Sequence, residues 1–112
     1  MSAPTRGRRF GQVVAVRPER REEYLGLHTA VWPAVEQALT RANIHHYSIF
    51  IHGDLLFAYF EHTGADLDAD LASVAADPAT REWWTHTDPC QQRLTDGPGG
   101  PWTDMTEVWH LD

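Results

Sequence analysis

Two short alternating runs joined by a glycine turn set the frame of this chain. Residues 44–52, Ile-His-His-Tyr-Ser-Ile-Phe-Ile-His, and residues 55–61, Leu-Leu-Phe-Ala-Tyr-Phe-Glu, are rich in β-branched and aromatic side chains, and Gly53-Asp54 separates them. A two-residue connection that begins with glycine has the length and chemistry of a tight antiparallel hairpin. Side chains alternate across a strand, so Tyr47, Ile49 and Ile51 share one face, and His46, Ser48 and Phe50 the other. In the second run Leu55, Phe57 and Tyr59 alternate against Leu56, Ala58 and Phe60. Both faces of the hairpin carry apolar groups, so both need a cover.

The flanking segments supply one of those covers. Residues 1–8 are expected as a flexible tail, and residues 9–112 as a single domain with no linker or repeat dividing it. Residues 10–16 read as a first strand. Pro18-Glu19 then opens a helix: proline fits the first turn, where its missing N–H costs nothing, and acids suit the positive end of the helix dipole. This helix is expected over residues 19–41. Pro33 interrupts it with a kink or break, because proline cannot donate to the Thr29 carbonyl. Beyond the hairpin, residues 66–76 place Leu67, Leu71 and Val74 or Ala75 at helical spacing. Asp77-Pro78 gives an N-cap and a first-turn proline for a further helix over residues 79–86. Residues 96–101 can only be loop, and residues 105–111 close the chain as a last strand. The order is βαββαβ with an extra helical piece, the ferredoxin-like α+β plan of an antiparallel sheet with helices on one face. Two chains meeting through the other face would form a dimeric α+β barrel, so a homodimer is the expectation.

Composition removes several classes of function. The formal net charge of −7 disfavours nucleic acid, whose binding depends on phosphate neutralisation. Six of the nine cations, Arg6, Arg8, Arg9, Arg17, Arg20 and Arg21, lie in the first 21 residues, as a solvated tail and helix start would have them. The chain has no lysine, so Schiff-base chemistry is excluded. Its one cysteine, Cys90, allows neither an intrachain disulfide nor a multi-cysteine zinc site, and Cys90 reads as a structural thiol. No apolar run approaches the roughly 18–20 residues that span a bilayer. The start lacks the apolar core of a secretion signal, so a cytoplasmic protein with no membrane contact is expected.

The chemistry-bearing residues are aromatic and imidazole. Tyr24, His28 and Trp32 recur every fourth residue, which on a helix is one face. Trp83 and Trp84 form a second pair; on a helix neighbours point about 100° apart, so one is expected to pack and the other to line a pocket. An imidazole flanked by aromatic rings suits a small, neutral, hydroxylated ligand. Aromatic faces cover the C–H side of a sugar ring, and histidine moves protons near neutral pH. The same stripe also serves as plain core packing, with His28 a hydrogen-bonded, half-buried residue, and Tyr47 reads equally well as core. The other histidines, His45, His46, His52, His62, His86 and His110, lack the spacings of a metal site. Glu107 is either a second catalytic polar group or a solvent-facing acid.

Taken in order, Tyr24-x-x-x-His28-x-x-x-Trp32-Pro33, His45-His46-Tyr47-Ser48-Ile49, Glu82-Trp83-Trp84 and Glu107-Val108-Trp109 resemble the L-rhamnose mutarotases over nearly the whole chain, residues 9–111. The resemblance implies a ferredoxin-like fold, a dimer with joined sheets, and interconversion of the pyranose anomers of L-rhamnose. By position His28 matches the proton-donating histidine, and Tyr24, Tyr47, Trp83 and Trp84 match the sugar contacts. Two positions depart from the family's habit: Thr29 stands where asparagine commonly follows the histidine, and His46 where asparagine commonly precedes the hairpin tyrosine. Both bear on which 6-deoxy sugar is taken, L-rhamnose or a relative such as L-fucose.

Mutarotation opens a cyclic hemiacetal and recloses it on the other face. The anomeric hydroxyl loses a proton, the ring oxygen gains one, the free aldehyde rotates, and the steps reverse. No metal, redox cofactor or covalent intermediate is required; a proton-shuttling group and a second polar partner or water suffice. Two other readings compete on fold grounds: a small dimeric ferredoxin-like monooxygenase, and a non-catalytic binding module for a small molecule.

Overall fold

The hairpin organises the sheet. In the computed structural model, which describes residues 7–95 and 100–112, β2 (Ile44–His52) and β3 (Leu55–His62) pair antiparallel across Gly53, whose φ of +58° is the left-handed backbone that a tight turn needs. β1 (Arg8–Val16) lies antiparallel on the other side of β3, with Phe10 opposite Phe60 and Val14 opposite Leu56. The order β2-β3-β1-β4 is the ferredoxin-like one. The last strand position is shared by two short pieces, β4 (Gln91–Gln92) against Ala15 and Val16, and β5 (Thr103–Met105) against residues 11–13.

Several boundaries differ from the sequence expectation. Arg8, expected in the tail, opens β1, and Gly7 is buried so closely on Glu61 that an added Cβ would lie 2.7 Å from the Glu61 Cβ. Residues 1–6 of the expected tail, and 96–99 of the expected loop, lie outside the described residues. The single helix over 19–41 is two helices, α1 (Arg21–Leu27) and α2 (Pro33–Arg41), preceded by a 3-10 turn at Pro18–Arg20. Of the kink or break expected at Pro33 the structure has the break, with Pro33 as the first residue of a new helix. It holds Trp32 extended (φ −66°, ψ 132°), which breaks the helix before it, and α1 has already ended at His28. The expected last strand over 105–111 is β5 alone. Among the described residues no strand pairs with the segment beyond Met105, and Val108, Trp109 and Leu111 are 93%, 74% and 73% exposed.

The two later helices begin where their caps dictate. Asp66 accepts from the Ala69 N–H at 3.0 Å and starts α3 (Leu67–Ala76). Asp77 accepts from both the Thr80 N–H and its hydroxyl at 2.9 Å and starts α4 (Pro78–Thr87) on a first-turn proline.

The helices cover one face of the sheet and divide its core in two. Val14, Val16, Tyr24, Leu56 and Cys90 form one cluster, joined by Ile49, Ile51 and Trp102; Ala42, Ile44, Phe60 and Val74 form the other, joined by Phe10 and Leu39. A β-bulge in β2 lies between them. His45 faces Glu61 and Ser48 faces Tyr59, so His46 and Tyr47 together oppose Phe60. His46, at φ +52°, is the added residue, and Tyr47 stacks on Phe60 with ring centroids 5.5 Å apart. At the end of β3 the buried His62 hydrogen-bonds Asp70 on α3 through Nε2 at 2.7 Å, and Asn43 donates to the same carboxylate oxygen at 3.1 Å. Gly64 makes this approach possible, because a Cβ there would press on Asp70, Asn43 and His62 together. Among the described residues no helix covers the opposite sheet face, and Phe50 on it is 63% exposed.

Candidate active site

The end of α1 sets the site. His28 is the C-cap residue, and its Nδ1 lies 2.9 Å from the Tyr24 carbonyl oxygen, which the His28 backbone N–H also reaches at 3.3 Å. A carbonyl oxygen can only accept, so Nδ1 must carry the proton of this bond. In the neutral ring Nε2 is then the unprotonated nitrogen, the one able to take up a proton or, once protonated, to give it.

Aromatic rings enclose that imidazole. The Tyr24 ring lies 4.3 Å from it, centroid to centroid, and Trp83 meets it edge-on at 5.4 Å. Trp32 meets Trp83 at 5.3 Å and His86 at 5.7 Å, both edge-on. Tyr24, His28 and Trp32 therefore do converge, but not as one helix face: Trp32 reaches the group from beyond the break over residues 28–32. Trp83 is 6% exposed and both packs and walls the histidine. Trp84, 38% exposed, turns the other way and lines a surface groove with Ala75, Pro78, Arg81 and Asp88. The structure brings Trp83 to His28 and places Trp84 in that groove instead.

Tyr47 stands in the bulge of β2, 39% exposed and stacked on Phe60, with partial desolvation pushing its phenol above the ordinary tyrosine range. Tyr24 is shifted upward more strongly, first by burial, while a hydrogen bond from the Gln91 side chain works in the opposite direction. Both phenols thus stay protonated well beyond neutral pH and are available as donors.

Residues near the site divide into those that act there and those that hold it together. Thr29 turns its hydroxyl back to the Gly26 carbonyl at 2.7 Å and closes the end of α1. Glu107 pairs with Arg9 at 2.9 Å, an exposed ion pair that lowers the Glu107 carboxyl and ties the C-terminal segment to β1. Cys90 is fully buried and donates to Glu23 at 3.1 Å; burial, reinforced by Glu23, pushes the thiol up to about 11, so it is an inert structural donor. Two neighbours of Tyr24 escaped sequence reasoning. Trp102 packs on the Tyr24 cluster from the segment before β5, and Gln91, buried on β4, pairs with Val16 of that cluster. A lone tryptophan after a loop and a glutamine in a two-residue strand carry no periodic signal. Among the described residues no helix is long and apolar enough to cross a membrane.

Comparison with known proteins gives this arrangement a context. The L-rhamnose mutarotase family profile matches residues 9–111. The chain is 34% identical over 110 residues to an L-rhamnose mutarotase of Ligilactobacillus salivarius, covering 93% of this chain and 97% of that protein. It is 32% identical over 106 residues to one of Lactiplantibacillus plantarum, covering 93% and 98%. The crystal structure of L-rhamnose mutarotase from Formosa agariphila shares the fold at a TM-score of 0.72 and 22% identity, covering 94% of this chain and 99% of that one. Tetracenomycin F2 cyclase from Streptomyces glaucescens shares it at 0.62 and 13% identity, covering 94% and 99%, which is a likeness of fold alone. With the profile spanning nearly every residue from β1 to the C-terminal segment, the chain belongs to the L-rhamnose mutarotase family.

Proposed function

We propose that this protein is an enzyme that interconverts the α and β anomers of L-rhamnopyranose, with His28 as the proton donor to the ring oxygen. The observation that carries the reading is the bond from His28 Nδ1 to the Tyr24 carbonyl, which leaves Nε2 as the proton-transferring atom inside an aromatic enclosure. Protonated Nε2 gives its proton as the ring C–O bond breaks, and the anomeric hydroxyl releases one to water or a second polar group. The aldehyde turns about one bond, and closure runs the steps backwards. Tyr24 and Tyr47, held protonated by their surroundings, donate to sugar oxygens. Trp83 supplies an apolar wall, and Trp84 joins the sugar contacts on family likeness alone.

The same proposal includes a homodimer joined through the uncovered sheet face, acting in the cytoplasm on a free monosaccharide without metal or cofactor. Exposed Phe50 and the apolar C-terminal residues Val108, Trp109 and Leu111 support a second copy as the missing cover.

Saturation transfer between the α and β anomeric protons of L-rhamnose, with L-fucose in parallel, tests the activity. Wild type should accelerate exchange of at least one sugar. His28→Ala should lose most of that gain, about a hundredfold or more, the lower range of general acid–base catalysis. Exchange at the buffer rate for both sugars with wild type ends the mutarotase reading; a fully active His28→Ala ends only the assignment of the proton donor.

A further inference from the structure

Residues of β1 alternate between the two faces of the sheet, so Phe10, Gln12 and Val14 share the face that the helices cover. Val14 is fully buried in the Tyr24 cluster, and Phe10 stacks on Phe60, the ring that also carries Tyr47. Gln12 lies between them and breaks the apolar run. Its partner on β3 is Ala58, the smallest side chain on that face of the strand, and its partner on β5 is Asp104. The Gln12 amide donates to Asp104 Oδ1 at 2.8 Å, so the carboxylate stands on the helix side as well. Polar and small residues thus cross the sheet in one row, between the row under Tyr24 and the row that carries Tyr47. A ligand that touches both phenols lies over that row. Gln12 is half-buried and Asp104 exposed, so the row opens to solvent at β5.

Ring opening needs an acceptor for the anomeric proton as well as a donor to the ring oxygen. A carboxylate accepts through two oxygens. Gln12 occupies one, and Asp104 Oδ2 makes no hydrogen bond among the described residues. Glu107, the next acid along the chain, does not compete. It pairs with Arg9, which alternation puts on the opposite face of the sheet. We propose that Asp104 is the second proton-transfer group of the site, the base that takes the anomeric proton, with Gln12 as the residue that positions it. In opening, the anomeric O–H proton passes to Asp104 Oδ2 and the O–H electron pair forms the aldehyde C=O. The ring C–O bond breaks, and its oxygen takes the His28 Nε2 proton. In closure the new hydroxyl returns its proton to His28, and Asp104 returns the other to the carbonyl oxygen. This rests on the reading of the protein as an L-rhamnose mutarotase, and it extends the site to a strand that no motif marks.

The test removes the charge and keeps the bond. In Asp104→Asn the amide oxygen still accepts from Gln12, so the pairing of β5 with β1 is retained while the base is gone. The kcat for L-rhamnose anomer exchange, from NMR saturation transfer, should fall about a hundredfold, with KM changed by less than about threefold. A pair that served only to hold β5 would leave kcat unchanged. Gln12→Leu releases the carboxylate and should lower kcat about tenfold, one hydrogen bond to a charged group. In the Asp104→Asn background the same change should cost less than about twofold, and an equal loss in both backgrounds overturns the role of Gln12. Wild-type kcat in Asp104→Asn, with wild type itself active, overturns the proposal and leaves the mutarotase reading intact. Wild type that accelerates neither L-rhamnose nor L-fucose ends that reading, and the base role with it.

A second measurement does not depend on activity or on the folding of Asp104→Asn. With γ-13C-labelled aspartate, the Asp104 signal, assigned by its loss in Asp104→Glu, should move saturably as L-rhamnose is added to wild type. An unmoved signal at sugar concentrations where tryptophan fluorescence reports binding shows that the sugar does not reach the carboxylate, and it rejects the proposal.

Discussion

The ring of His28 is tied to the backbone of Tyr24, with Nδ1 donating to the carbonyl oxygen four residues earlier at 2.9 Å. The bond fixes a tautomer. At a pH where the ring is neutral, two-dimensional 15N spectra should show Nδ1 as the protonated nitrogen and Nε2 with the shift of a bare lone pair. The opposite pattern means that the bond is not made in solution and that proton transfer at Nε2 has to be reconsidered.

Tyr24 gives the protein a weakness in alkali. Its folded-state phenol is raised above the ordinary tyrosine value of about 10, chiefly by burial. A raised value means that the folded state holds its proton more tightly than the unfolded state does. The associated stability is complete below the unfolded value, and it is lost as pH climbs from there toward the folded value. The Tm of wild type should therefore drop above about pH 10, more steeply than that of Tyr24→Phe, which has no phenol to ionise. Parallel curves for the two proteins, followed by circular dichroism, would argue against burial of that hydroxyl.

The adjacent tryptophans should behave differently. Trp83 is buried against His28 and Trp32, so Trp83→Ala should cost roughly 3–5 kcal/mol of stability and most of the activity. Trp84 lies in the surface groove beside Ala75 and Asp88, and Trp84→Ala should change stability by less than about 1 kcal/mol. Denaturant titration gives the stabilities, and fluorescence titration with L-rhamnose gives the binding. Weaker binding by Trp84→Ala supports the family-based role of that ring; unchanged binding removes it from the site.

The C-terminal segment bears on assembly. Light scattering of the full chain should give about twice the chain mass of 12.7 kDa. Truncation after Glu107 keeps the Arg9 ion pair but removes Val108, Trp109 and Leu111, and it should shift the population toward monomer on dilution. A full-length monomer throughout a dilution series rejects the dimer. A truncated chain that dimerises as firmly as the full one shows that the sheet face alone suffices.

Local chemistry was the most legible part of this sequence. The hairpin follows from alternation and Gly53, and the starts of α3 and α4 follow from Asp66 and Asp77, because turns and caps are decided by a few neighbouring residues. The end of α1 was not legible. Pro33 shows where a helix cannot continue, whereas His28 closes the helix five residues earlier and Trp32 is simply held extended. The site was visible through the spacing of Tyr24, His28 and Trp32, together with Trp83. The orientation of Trp84 depends on how α4 lies against α3, and the burial of Gln91 depends on a two-residue strand finding Val16, so neither could be seen from the order of residues.

The bulge at His46 has a consequence for how such a site can diverge. The added residue belongs to neither core: the cluster around Ile44 closes on one side of it and that around Ile49 and Ile51 on the other. Its side chain is exposed, while its backbone, at φ +52°, favours asparagine, aspartate and histidine over other side-chain-bearing residues. Position 46 can therefore exchange one polar group for another beside Tyr47 without disturbing either core, so the backbone and not the packing limits what that position can hold.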